Sequence, residues 1–456
     1  MKRMAGMDQE GVYQEGLDQD SPVRRWAEMF RENARSAEAR LRQELQAAGG
    51  PLVEPVDGDP LHMWVTFVYF GPAARVSLHS SLAMAAGVPT LPLVRLAGDV
   101  WAVALKVRHD VATTYQFVVD DPLAGLSLDD LFRLTVRDPA RAAALMAQLN
   151  ASAVADPCNP HRMPPQNAWS AGRDPAAEPE ERWDSVLTMP AAQPLDWPGP
   201  PAAERGRLEQ HTFTSTRLGN QRVAAVYTPP GYRPDAGPYP LLVCLDAELM
   251  VTWDFAEPMD RLIAAGRIPP LVAVYVGNID PGMRMVELAA NAGFVAMLAD
   301  ELLPWIRQRL AVTTDPSQTL IAGASLGGLT AVYAALERPD IFGGALSMSG
   351  SFWIGDPAGP SGPLVPGPYD EPEWPVRWAA QLPRRPVRIW LDAGILENTP
   401  VGPIQGTTLL ASNRHLRNVL QARGYEVGYY EAPGGHDPAS WIRTFPRGLA
   451  WLLGRS

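Results

Sequence analysis

Apolar and polar positions divide the chain into two regimes. Between residues 50 and 150 the apolar runs are short: "HMWVTFVYF" (62–70), "ARVSLHSSL" (74–82), "VWAVALKVR" (100–108) and "TTYQFVV" (113–119). Gly, Pro and Asp separate them. In the third run Trp101, Val103, Leu105 and Val107 alternate with Ala102, Ala104, Lys106 and Arg108, the period-two pattern of a half-buried strand. Such spacing predicts a small β-sandwich domain over 49–155. From about residue 208 the pattern changes. "RVAAVYT", "YPLLVCLD", "PPLVAVYVG", "TLIAGAS", "GALSMSG", "VRIWLDAG" and "YEVGYYEAPGG" are near-continuous apolar strands, with helical stretches such as "FVAMLADELLPWIRQRL" and "HLRNVLQARG" between them. Strands alternating with helices predict an α/β domain over 208–456, a doubly wound and mostly parallel sheet covered on both faces.

The flanking segments read differently. Residues 1–20 are polar and are expected to be a disordered tail. Residues 22–47 predict a helix, within a segment 21–48, opened by Ser21 as cap and Pro22 and closed by "GG". Its apolar positions Trp26, Met29, Phe30, Leu41 and Leu45 would dock on a neighbour. Residues 156–207 are dense in Pro, which predicts an extended connector. Its Trp169, Trp183 and Trp197 suggest packing along a surface.

Composition narrows the class. The chain has 456 residues, 46% hydrophobic and 20% charged, with formal net charge −11. The length suits two or three domains. An acidic surface argues against a nucleic-acid partner, and any anion site would have to be local. Two cysteines do not make a disulfide framework, and Cys244, inside "PLLVCLD", reads as a small core residue. The basic N-terminus lacks the apolar stretch of a signal peptide, and no apolar run of about 18 residues predicts a membrane span. The expected location is cytoplasmic. Oligomeric state is not readable.

The candidate chemistry centres on "IAGASLGGLTA" (321–331). Ser325 lies between Gly323 and Gly327, after a strand and before a helix. On such a sharp turn, small residues on either side let the backbones pass closely and the hydroxyl projects as a nucleophile. The N–H of Leu326, at the helix start, is placed to stabilise an oxyanion. A Ser nucleophile needs a base, and the base an orienting acid, in the chain order Ser, acid, His. Of the seven His, His415 and His436 follow Ser325. His415 lies mid-helix. His436 lies in the Gly-rich loop "EAPGGHDPASW" after a strand, the position for a base. Asp392 and Glu397, both in "LDAGILEN", are the candidate acids. Glu397, further out on the loop, is favoured; Asp392 stays open.

The segments "DGDPLHMWVTFVYFG", "DPCNP", "LDAELMVTW", "RMVEL", "GASLGGLTA", "SGSFW", "LDAGILE" and "GGHDPASW" occur in order from 57 to 441. Together they resemble the enterobactin esterase family of ferric-siderophore esterases, over nearly the whole chain. The resemblance implies an N-terminal β-sandwich, a connector and an α/β-hydrolase domain. It also implies hydrolysis of the ester bonds of a cyclic tri-serine catecholate siderophore, releasing iron in the cytoplasm. Iron then belongs to the substrate, and no metal or other cofactor is expected. On these matches Ser325 is the nucleophile, His436 the base and Glu397 the acid. Arg284 is implied to point toward the substrate, where a planar guanidinium suits catecholate oxygens; the plain alternative is a local pair with Glu287. Ala247, or Glu248, would supply the second oxyanion N–H, with Ala247 standing where the family often has Gly. Trp253 and Trp353 are candidate faces for catechol rings.

Two other readings compete. One is an esterase or acyltransferase with the same triad and another lactone or ester substrate, since a fold does not fix a substrate. The other is a siderophore-binding protein without turnover.

Overall fold

The computed structural model describes residues 20–167, 172–193, 202, 204–359, 371–400 and 407–454. The expected tail over 1–19, and Trp169 and Trp197, lie outside them. The chain forms two compact units, one of residues up to 163 with 179–192, the other of 164–178 with 193 onward. Among the described residues no helix is long and apolar enough to cross a membrane.

The first unit has two antiparallel sheets. Its strands are β1 (Leu52–Val56), β2 (Asp59–Phe70), β3 (Val76–Ser80), β4 (Leu91–Pro92), β5 (Val94–Ala97), β6 (Val100–Arg108), β7 (Ala112–Val119), β8 (Ala153–Val154), β9 (Arg162–Met163) and β10 (Asp184–Thr188). One sheet runs β1-β2-β6-β5; the other runs β4-β3-β7-β10-β9, with β8 also paired to β7. Aromatic side chains join the two facing layers. The Phe67 and Tyr115 rings meet edge to face at 4.9 Å, and Tyr69 lies 5.6 Å from Phe117.

The outer face of the first sheet is covered by helix α1 (Pro22–Ala48). Its Val23, Trp26, Phe30, Leu41 and Leu45 pack on Trp64, Val68, Val100, Ala102 and Ala104. β6 is therefore buried on both faces along its first half, where period-two alternation predicted one solvated face. Ala102 and Ala104 face a helix rather than water, and small side chains let it approach. α1 itself kinks at Asn33, whose backbone is non-helical and whose Oδ1 accepts a bond from Ser36 N–H at 3.1 Å; a mid-helix Asn restarts the helix as its own cap. Ser21 takes the cap position, but its hydroxyl makes no capping bond.

The expected connector over 156–207 does not run as one extended linker. Residues 179–192 return to the first unit, and β10 pairs antiparallel with β7, Ser185 opposite Tyr115. Pro residues bracket this strand without interrupting it.

The second unit holds a sheet of eight described strands: β11 (Arg207–Ser215), β12 (Asn220–Thr228), β13 (Leu241–Leu245), β14 (Val272–Val276), β15 (Thr319–Ala324), β16 (Gly344–Met348), β17 (Arg388–Gly394) and β18 (Glu426–Ala432). Their order is β11-β12-β14-β13-β15-β16-β17-β18. β11–β12 and β12–β14 are antiparallel, and every later pair is parallel. β13, β14, β15 and β16 are buried throughout, and Cys244 is fully enclosed in β13. This is the α/β-hydrolase arrangement, which gathers the loops at the C-terminal ends of the parallel strands. The expected helix over 294–310 is broken by a wide turn, Leu298–Leu302, just before Pro304, which lacks the N–H that a regular helix would use there.

One buried ion pair ties the antiparallel edge to the rest. Arg222 on β12 holds Glu287 with two hydrogen bonds, 2.8 and 3.0 Å, both side chains essentially inaccessible. Glu287 is therefore not the partner of Arg284 that the three-residue spacing suggested. Replacing Arg222 by Met leaves a carboxylate buried without its partner. We expect a loss of about 3–5 kcal/mol in urea unfolding, most of it recovered when Glu287→Leu is added.

Candidate active site

The parallel register places the chemistry. β15 ends at Ala324, and Ser325 follows with φ 58° and ψ −122°, outside the comfortable range of an L-residue, before the helix Leu326–Glu337. The turn is possible because the strand and the helix nearly touch. A Cβ on Gly323 would lie 2.5 Å from the carbonyl carbon of Gly327. The turn is pinned by Ser325 N–H to the Met348 carbonyl at 2.9 Å and by Ser351 N–H to the Ser325 carbonyl at 3.1 Å.

The two other loops come from the adjacent strand ends. β17 and β18 pair up to Gly394 opposite Ala432. Backbone bonds then continue into the loops, from Ile395 N–H to Ala432 and from Leu396 N–H to Gly434. At Gly394 a Cβ would fall 2.5 Å from the Gly434 carbonyl oxygen, so only glycine allows this approach. The stitched loops carry Glu397 and His436. After His436, Asp437 caps the helix Pro438–Leu453, which fixes the exit of the His loop.

The side chains meet in a line. His436 Nε2 lies 3.0 Å from Ser325 Oγ, and His436 Nδ1 lies 2.5 Å from Glu397 Oε1. A carboxylate on Nδ1 selects the tautomer whose Nε2 lone pair faces the hydroxyl. The second Glu397 oxygen accepts Gly394 N–H at 2.6 Å and the Ser349 hydroxyl at 3.0 Å. Ser349 in turn accepts the indole N–H of Trp441 at 3.0 Å, and that ring stands edge-on to His436 at 5.1 Å. Ser351 Oγ lies 3.3 Å from Ser325 Oγ. Ser349, Ser351 and Trp441 all lie in segments noted in the sequence, "SGSFW" and "GGHDPASW", but residue type alone did not mark them as partners of the triad.

Asp392 stands apart. It lies within β17, two residues before its end, 1% exposed, with Trp390 Nε1 donating to its Oδ2 at 3.0 Å. Burial pushes its pKa up to about 7, helped by the nearby Glu397 charge and opposed by bonds from Trp390 and Thr444. His415, on the helix Leu409–Ala422, is held by Glu373 away from this line.

Ala247 opens the short helix Ala247–Thr252 after β13. Neither Arg284 nor the two tryptophans has the setting anticipated for it. Arg284 Nε and Nη2 grip Asp246 Oδ1 and Oδ2 at 2.6 and 2.7 Å, and its side chain is 11% exposed. Burial alone would lower its pKa; the Asp246 charge outweighs this and raises it. Asn278 adds a bond to Asp246 at 2.8 Å. Glu248, beside Asp246, has its pKa raised, first by burial. Trp253 and Trp353 are 3% and 7% exposed, so neither presents an open ring face. Trp253 donates to the Pro164 carbonyl and packs 6.0 Å from Trp441. Asp246 is the residue that the sequence reading passed over.

Residues 215–452 match the Esterase family model, "Putative esterase". The iron(III) enterobactin esterase of Dickeya dadantii is 29% identical, with 90% of this chain and 92% of that one covered. The iron(III) enterobactin esterase of Escherichia coli O6:H1 is 30% identical over 78% of this chain and 80% of its own. Among solved structures, the ferric enterobactin esterase of Salmonella typhimurium superposes with a TM-score of 0.70 at 26% identity, covering 91% of this chain and 98% of that one. The matches run through the strand ends that bear Ser325, Glu397 and His436, and they establish that the chain belongs to the enterobactin esterase family, carboxylic ester hydrolases of the α/β-hydrolase fold.

Proposed function

We propose that the protein hydrolyses the ester bonds of a ferric catecholate trilactone siderophore by a two-step serine mechanism. The observation that carries this reading is the line Ser325–His436–Glu397 on strand ends of the right chain order. The relatives' names, iron(III) enterobactin esterase, supply the substrate class.

His436 Nε2 takes the proton of Ser325 as Oγ attacks the ester carbonyl. The N–H groups of Leu326 and Ala247 hold the oxyanion. Glu248 N–H is the alternative second donor. His436 then protonates the leaving serine alkoxide of the lactone. Water, activated by the same ring, attacks the acyl-enzyme and frees the acid. Glu397 holds the ring and stabilises its charged form, with Ser349 and Gly394 fixing its other oxygen. Iron enters and leaves as part of the substrate, and we place the reaction in the cytoplasm.

Mass analysis of a cyclic tricatecholate lactone tests this directly. Wild type should open the ring to linear products, with or without iron, and Ser325→Ala should leave it intact. An intact lactone beside fluorophosphonate labelling of Ser325 would move the assignment to another ester or to acyl transfer.

The two acids separate cleanly. Glu397→Gln should cost about 10²–10⁴ in kcat, measured on the same lactone. Asp392→Asn should stay within about threefold of wild type, because it touches Trp390 and Thr444 rather than His436.

Asp392 should instead show in the pH dependence of stability. Its pKa is raised from 3.8 to about 7 in the folded chain. The native state therefore keeps a proton that the unfolded chain loses, and stability falls as pH rises through this window. Asp392→Asn should flatten that slope in urea titrations at pH 4, 5.5 and 7.

A further inference from the structure

We infer that Arg284 and Asp246 form a positioning device for the second oxyanion donor, and that Arg284 acts through Asp246 rather than on the substrate. This rests on the acyl-transfer mechanism above, not on the identity of the ester.

β13 and β15 are parallel, with Cys244 opposite Ala322. Three residues further along each segment, just past the strand ends, stand Ala247 and Ser325. The register therefore brings the start of the helix Ala247–Thr252 level with the nucleophile. What separates them is the conformation of Asp246. It is left-handed, φ 60° and ψ 57°, in a residue that is not glycine. Asp is a favoured helix cap, yet here its side chain makes no capping bond. Its carbonyl accepts the N–H groups of Leu249 and Met250, both at 3.0 Å. Its carboxylate is drawn the other way, into the fork of Arg284 and onto Asn278. It also lies against the nucleophile's own helix, for a Cβ on Gly327 would sit 3.0 Å from Asp246 Oδ2. One buried carboxylate thus touches the turn that aims the Ala247 N–H and the turn that carries Ser325. Arg284 satisfies both of its oxygens at once, a planar two-point grip that an ammonium cannot reproduce. With its Nε–Nη2 edge so engaged, Arg284 locks the left-handed turn.

The test uses two esters, the small neutral p-nitrophenyl acetate and the cyclic tricatecholate lactone, with Arg284→Lys, Arg284→Met, Asp246→Asn and the Arg284→Met/Asp246→Asn pair. Rates are referred to the folded fraction from circular dichroism. We expect Arg284→Met and Asp246→Asn to lower kcat on p-nitrophenyl acetate by about 10²-fold, the scale of a lost oxyanion donor. KM should stay within about twofold, because only the transition state is affected. Arg284→Lys, which keeps the buried charge but not the fork, should fall between Met and wild type. The double variant should be no slower than the slower single one, since both changes break one unit. Unchanged turnover of the neutral ester, with a lactone KM raised about tenfold or more, would place Arg284 on the substrate and overturn the inference. Lower folded fraction with normal kcat per folded molecule would overturn it too, leaving a structural ion pair. If wild type cleaves p-nitrophenyl acetate but not the lactone, the siderophore assignment fails while the positioning device is still measured on the neutral ester.

Discussion

Everything at the candidate site depends on how closely one strand and one helix approach. β15 and the helix Leu326–Glu337 come together backbone to backbone at Gly323 and Gly327, and Ser325 is forced into a positive φ between them. The parallel sheet sustains that strained turn, for β15 is buried throughout and flanked on both sides by parallel partners. A turn of this kind in an isolated hairpin would relax. Held in the sheet, it presents the hydroxyl at a fixed place, and the loops after β17 and β18 need only reach it.

Those loops reach it by the same device used a second time. Gly394 allows its backbone to close on that of Gly434, and the hydrogen-bonded ladder continues past the ends of the strands. His436 and Glu397 are thus carried on something nearer to an extension of the sheet than to a free loop. Ser349 and Trp441 complete the support from the next strand end and the last helix. The geometry of the candidate triad is inherited from sheet geometry, with little left to side-chain chance.

How much of this was legible in the chain differs by element. The buried parallel strands were readable because a strand covered on both faces is apolar along its whole length, as β13 to β16 are. β11 was not, since an edge strand that buries little beyond Phe213 and Ser215 carries no such signal. β10 was hidden by the prolines around it. Ser325 and His436 could be picked out as candidates because glycine-rich turns after strands mark them locally, whereas Asp392 and Glu397, five residues apart, stayed open as the acid. The partner of Arg284 could not be picked out, for Asp246 lies 38 residues away in sequence and no periodicity links them. The hint was there in Asp246 itself, a helix-capping residue type directly before a helix, but only coordinates reveal that its side chain turns from the cap to the ion pair. Trp253 and Trp353 show the converse hazard. Aromatic residues near a motif invite a role in stacking, and both are packed into the interior.

The N-terminal helix has a consequence for where the first unit can be said to begin. α1 supplies Val23, Trp26, Phe30, Ala37, Leu41 and Leu45 to the cluster over Trp64, Val68, Val100, Ala102 and Ala104, with Cys158 packed against it from a turn. A chain started at the first strand would still spell out every residue of the sandwich, yet it would bare an apolar sheet face to water and invite self-association. The helix is thus an outer layer of the sandwich, and a shortened protein would announce its loss by precipitating before it lost any residue of the candidate triad.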